Sequence, residues 1–269
     1  MFQIIYAVYK KNRNIVLRAY PWSFTISRIT GAFFSLLFPV LIYYFVFQHR
    51  VSEKFIKYVG TDNYLSYIVI GQALDILAFA TLMNVGRCLI TEIREGTLEP
   101  FITSSASRIQ YFIGAYLEQF VRSMIEYILI CIIGFLLGVR LPLEKIGSFV
   151  FIVILSSISF FSVSILISTV MVYTRDTYLV QNTFMIFMEC VCGVVFPIEY
   201  LPYPLEVLAN FFPLTPTLSL FRNVALLNYN IYDCFHQIVH IFVLSIVYFY
   251  VGYTGFRRIE TKLIEDVFS

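Results

Sequence analysis

Five ionisable residues stand inside long apolar runs of the chain: Asp75, Glu118, Arg122, Glu126 and Glu189, with Arg28 near the end of another such run. A charge held at that depth in lipid is costly and by default faces a partner or water, which makes each a candidate for function. Glu118, Arg122 and Glu126 recur at i, i+4 and i+8, so on a helix they share one face and are expected to neutralise one another. Asp75 and Glu189 have no such neighbour, and are left either to pair across helices or to line a route. Reactive constellations are missing from the sequence. It has no Gly-x-Ser-x-Gly elbow, no His-Glu-x-x-His helix and no Gly-x-x-x-x-Gly-Lys-Ser/Thr loop to cradle phosphate, so neither catalytic nor ATP-binding residues are assigned. His236 and His240 lie one helical turn apart, but without a carboxylate or thiolate cluster beside them polar packing is preferred over metal binding. The five cysteines, Cys88, Cys131, Cys190, Cys192 and Cys234, form no Cys-x-x-Cys pair and read as small hydrophobes.

The elements that must position these charges follow from composition. Of the 269 residues, 59% are hydrophobic and 13% charged, and the mean hydropathy is +0.80; a soluble domain carries about 25% charged residues. A helix needs about 20 mostly apolar residues to cross the hydrocarbon, and unpaired backbone in lipid restricts spanning structure to helices and closed barrels. Six runs qualify: 26–47, 64–86, 109–139, 146–172, 177–195 and 234–256. Their continuity excludes barrel strands, which would alternate apolar and polar residues. The expected fold is therefore all-α, an integral membrane bundle of six transmembrane helices in a single domain over residues 1–269.

Two further segments complete that expectation. Residues 1–22 mix Ile4, Ile5 and Val8 with Lys10, Lys11, Arg13 and Arg18, which suits an amphipathic helix in the membrane interface ended by Pro21, rather than a signal peptide. Residues 196–232 stay apolar but carry Pro197, Pro202, Pro204, Pro213 and Pro216, a density that forbids one long helix and predicts short helices in a re-entrant segment before the last span. With the amino terminus inside, Lys10, Lys11, Arg13, Arg18, Arg87, Arg94, Arg108, Arg175, Arg257, Arg258 and Lys262 fall on the cytoplasmic side. Arg50, Lys54, Lys57, Arg140, Lys145 and Arg222 fall outside, so the bias places both termini in the cytoplasm. A net charge of +2 in short clusters between apolar runs fits contact with membrane lipids, not a nucleic-acid groove.

The connection between the second and third spans, residues 87–107, changes character abruptly. Gly96 is placed to end a helix in a left-handed conformation, Thr97 to cap the next, and Glu99 to complement the dipole of that helix's first turn. The expected product is a short helix across the membrane surface. Glu92, Arg94, Glu95 and Glu99 would face a cytoplasmic partner, while Leu98, Phe101 and Ile102 anchor the helix to the bundle.

Here the sequence resembles the type 2 family of ABC exporter permeases. The resemblance rests on Glu95-Gly96-Thr97-Leu98-Glu99 followed by Ser104 to Ser107 and Gly114, and on the Pro-rich stretch with Phe196-Pro197, Leu201-Pro202 and Phe212-Pro213. It implies a permease in the plasma membrane that works with a second permease copy and two cytoplasmic ABC ATPase subunits. No cofactor is expected on the chain itself, ATP and Mg being bound by those partners. The resemblance also implies a coupling role for Arg94, Glu95, Gly96, Thr97, Leu98 and Glu99, with Glu95 foremost. Ala19 to Phe24 departs from the stretch that precedes the first span in polysaccharide-exporting members, which points to drugs, peptides or lipids as cargo. The rival readings from the residues alone are a proton-coupled carrier using Asp75 and Glu189, and a membrane enzyme acting on lipids.

Overall fold

The computed structural model describes residues 2–19, 22–48, 50–97, 100, 107–174 and 176–268. Among them the chain is helical throughout, with no strand. Ten α-helices follow in order: α1 (Phe2–Ala19), α2 (Ser23–Leu41), α3 (Glu53–Val59), α4 (Tyr64–Arg94), α5 (Arg108–Leu136), α6 (Ile146–Thr174), α7 (Thr177–Val191), α8 (Tyr203–Asn210), α9 (Leu214–Ala225) and α10 (Phe235–Phe268). Pro39 interrupts the hydrogen-bond ladder late in α2, and a π-turn over Ile42–Val46 extends the helix beyond it. Pro21, expected to end the first helix, lies outside the described residues.

Five of these helices are long and apolar enough to cross a membrane: Ile26–Val46, α4, α5, α6 and the stretch Ile231–Thr261 that contains most of α10. Burial ranks them. In α4, 88% of the most apolar 18-residue stretch is buried, against 22% in α2 and 28% in α5, so α4 is the axis about which the others are arranged. It packs on α5, α6, α9, α2 and α7, while α10 lies along α6 and α1 lies against α5. A helix of 31 residues extends about 46 Å, well beyond the roughly 30 Å of hydrocarbon. The end of α4 therefore has surplus length to project from the lipid.

Between helices in lipid there is little hydrophobic driving force, and close van der Waals approach with interhelical hydrogen bonds takes its place. The pairing of α6 with α10 illustrates this. At Gly252 an added Cβ would come within 2.7 Å of the Leu166 backbone nitrogen, and the Thr169 hydroxyl donates across the contact to the Gly252 carbonyl at 3.2 Å. Most serines along α6 turn inward to their own helix, as when Ser156 and Ser168 donate to the carbonyls of Ile152 and Ser164 at 2.6 Å, which satisfies much of this buried face without water; Ser159 is left without a hydrogen-bond partner.

The fifth expected span, 177–195, is helical only over Thr177–Val191, 15 residues where a straight crossing takes about 20. The chain leaves the helix at Gly193, whose φ of +79° is the left-handed turn that ends a helix. Arg222 of α9 donates to the carbonyls of Gly193 at 2.8 Å and Val194 at 2.9 Å. The proline-rich stretch 196–232 holds two short helices, α8 and α9, as its prolines require, with Pro204 and Pro216 sitting in first turns where no amide hydrogen is missed.

Candidate functional site

Two places gather the charges singled out in the sequence. The first is a cavity of about 220 Å³ between α2, α4, α5 and α7, lined by Arg28, Gly31, Ala32, Ser35, Gln72, Asp75, Ile76, Phe79, Glu126, Met185 and Glu189. Asp75 stands 11 residues along α4 from Tyr64, about 16 Å along the helix axis. It is only 6% exposed, and its Oδ1 has no hydrogen-bond partner. Glu189 reaches the same cavity from α7 and is exposed, so it marks the mouth where Asp75 marks the floor.

The trio on α5 divides. Arg122 pairs with Glu118, as the i, i+4 spacing suggests, and Gln119 donates to Glu118 Oε2 at 2.9 Å. Glu126 instead takes Arg28 of α2 at 2.5 Å, a cross-helix partner that no spacing along one helix can reveal. The structure thus brings Asp75, Glu126 and Glu189 to one cavity and sets the Glu118 to Arg122 pair apart from its lining.

The second place is the C-terminal end of α4. Gly96 adopts a φ of +69°, the left-handed turn expected of it. The amides of Gly96 and Thr97 then donate to the carbonyls of Ile93 at 3.2 Å and Glu92 at 3.0 Å, closing the last turn of α4. The Thr97 hydroxyl donates back to Glu92 Oε2. Leu98 and Glu99 lie outside the described residues, as do 101–106. Arg94 and Glu95 are exposed.

Glu92 departs from expectation. Rather than facing a partner, it is 5% exposed and accepts from Lys11 Nζ of α1 at 2.5 Å and from the Tyr111 hydroxyl of α5 at 3.2 Å, besides Thr97. The reason is geometric. Glu92 still lies within the last turn of α4, while Glu95 is the C-cap residue beyond the helix, and a carboxylate so buried needs several donors. One side chain therefore ties α1, α4 and α5 together at the point where α4 ends. Nearby, Arg108 of α5 bonds Glu260 of α10 at 2.5 Å, and Arg87 of α4 donates to Gln181 of α7. Each of these links joins residues far apart in sequence, so none was visible there.

At the opposite end Arg222, 9% exposed, also donates to the Tyr67 carbonyl at 3.2 Å and stacks on the Tyr67 ring at 3.4 Å. Burial lowers the pKa of its guanidinium, opposed by Tyr67 and Glu199. A cation on carbonyls at the broken end of α7 complements the negative pole of that helix. The sequence reading placed Arg222 on the outer side but not in this role. His236 and His240 have ring centroids 6.5 Å apart, and among the described residues no group of three or more His, Cys, Asp or Glu is arranged to hold a metal.

Long apolar helices about a buried axis, with a polar cavity among them, fit a protein embedded in a membrane. Among curated proteins none matches the chain. The sequence profile of the ABC-2 type transporter family matches residues 12–226, a stretch that includes both the cavity and the C-terminal end of α4. The chain belongs to the ABC-2 type transporter family, as its multi-pass transmembrane permease component.

Proposed function

We propose that the chain is the membrane half of an ATP-driven exporter in the plasma membrane, paired with a second permease copy and served by two cytoplasmic ABC ATPase subunits that bind the ATP and Mg. In this reading the bundle crosses the bilayer six times. The short α7 supplies the fifth crossing, completed by the Arg222-bound stretch after it, and α8 and α9 form a re-entrant unit on the outer side. α1 lies in the inner interface and both termini are cytoplasmic, in line with the distribution of Lys and Arg.

The observation that carries the proposal is the contrast at the end of α4. Glu92 is locked into the bundle by Lys11, Thr97 and Tyr111, while Arg94 and Glu95, within three residues of it, stand exposed. A push on Glu95 would be delivered to the most buried helix, and through the Glu92 anchor to α1 and α5. Arg94 to Glu99 is then the coupling segment, and hydrolysis in the ATPase subunits drives the cavity to open outward. Glu95→Ala and Glu95→Arg, reconstituted with the ATPase subunits, are expected to lose at least tenfold in cargo-stimulated hydrolysis and export while folding normally. Unchanged coupling in both variants would overturn the assignment.

A further inference from the structure

The cavity holds more acid than base. Arg28 is engaged with Glu126, which leaves Asp75 and Glu189 as two carboxylates facing the same space with no cationic side chain lining it beyond Arg28. Asp75 is the sharper case: nine-tenths buried, on the most buried helix, with Oδ1 unbonded and lining the cavity floor. A buried acceptor without a donor is costly, and two carboxylates around one low-dielectric space repel. A cation entering from outside the chain relieves both.

The remaining wall indicates what carries that cation. Gly31, Ala32, Ile76, Phe79 and Met185 are apolar, and the Phe79 ring adds a face that suits an ammonium. A cavity of about 150 Å³ accommodates benzene, so about 220 Å³ takes a somewhat larger ring system but not a polymer. A bare inorganic cation fits poorly, since among the described residues no group of three or more His, Cys, Asp or Glu side chains is arranged to hold a metal ion, and a hard ion takes six or more oxygens.

We propose that this cavity receives the protonated amine of an apolar-bodied small molecule, with Asp75 as the counter-ion at the floor, Glu189 as the acidic gatepost at the mouth, and Phe79, Ile76 and Met185 around the organic body. The inference rests on the permease reading above and names the cargo class for that route.

The test uses the full chain in nanodiscs and three probes of one carbon skeleton: 2-(1-naphthyl)ethylamine, 2-(1-naphthyl)ethanol and 1-naphthylacetate, followed by naphthyl fluorescence anisotropy. The amine should bind saturably and at least tenfold tighter than the alcohol, and the acetate not at all. Asp75→Asn should weaken the amine at least tenfold and Glu189→Gln about threefold, with Asp75→Glu restoring most of the loss. Sodium, potassium or magnesium chloride that displaced the amine beyond a choline chloride control of equal ionic strength would overturn the organic cation in favour of an inorganic one. Equal binding of amine and alcohol would show that the carboxylates hold protons instead, and would also overturn it. If Asp75→Asn fails to insert, the comparison of probes on the unaltered chain decides. Because binding is read on the permease alone, its failure leaves the coupling role of Glu95 standing, and loss of coupling in Glu95→Ala leaves this binding untouched.

Discussion

Single residues carry the fine structure of the two ends of the bundle, and they differ in what removal should cost. Glu92→Gln keeps the shape of the side chain but removes the charge that Lys11 and Tyr111 donate to. Hydrogen bonds to charged groups are worth about 1.5–3 kcal/mol each in favourable settings, but Lys11 is partly exposed to water and its share is screened. A loss of about 1–2 kcal/mol in thermal unfolding of the detergent-solubilised chain is expected, and adding Lys11→Met should cost little more, since both act through one contact. Arg222→Ala leaves three backbone carbonyls without their donor and should cost about 3 kcal/mol or more, seen as a fall in melting temperature together with faster proteolysis in 196–232. At this scale the sequence was most legible where partners lie one helical turn apart, as with Arg122 and Glu118. It was silent on Lys11 with Glu92 and Arg28 with Glu126, because long-range pairing leaves no local pattern.

Helices were far more legible than their contacts. The apolar runs expected at 64–86, 109–139 and 146–172 appear as Tyr64–Arg94, Arg108–Leu136 and Ile146–Thr174, differing mainly where a helix continues past the lipid with polar residues that a hydropathy criterion discards. Proline density correctly signalled short helices in 196–232. The early end of α7 at Val191 follows from Gly193 in a left-handed conformation, a local signal masked by the continuing apolar run, whereas the Arg222 guanidinium that holds the carbonyls beyond it arrives from α9 and leaves no local pattern. The α6 to α10 contact offers an element-level prediction. Gly252→Val would force the two helices apart at Leu166, and overpacking of this kind costs typically 1–3 kcal/mol. A lowered melting temperature is expected, whereas Gly147→Val, where an added Cβ meets nothing within 4 Å, should leave it nearly unchanged.

At the scale of the whole molecule, the arrangement separates a moving part from a holding part. α4 is buried along its length and touches nearly every other long helix, so displacement of its inner end reaches the Asp75 cavity through a single rigid element. On the proposed function, work supplied at the membrane surface changes the cavity in this way without any contact between the ATPase subunits and the cargo. The most direct measurement of this account is site-specific cross-linking in sealed vesicles holding the permease with its ATPase subunits, using Glu95→Cys and Lys57→Cys in otherwise cysteine-free chains. The account predicts that position 95 cross-links to the ATPase subunit, that a membrane-impermeant thiol reagent reaches position 57 only from the outer face, and that the cross-link at 95 halts export. Labelling of position 95 from the outer face, or a cross-link there that leaves export unaltered, would contradict it.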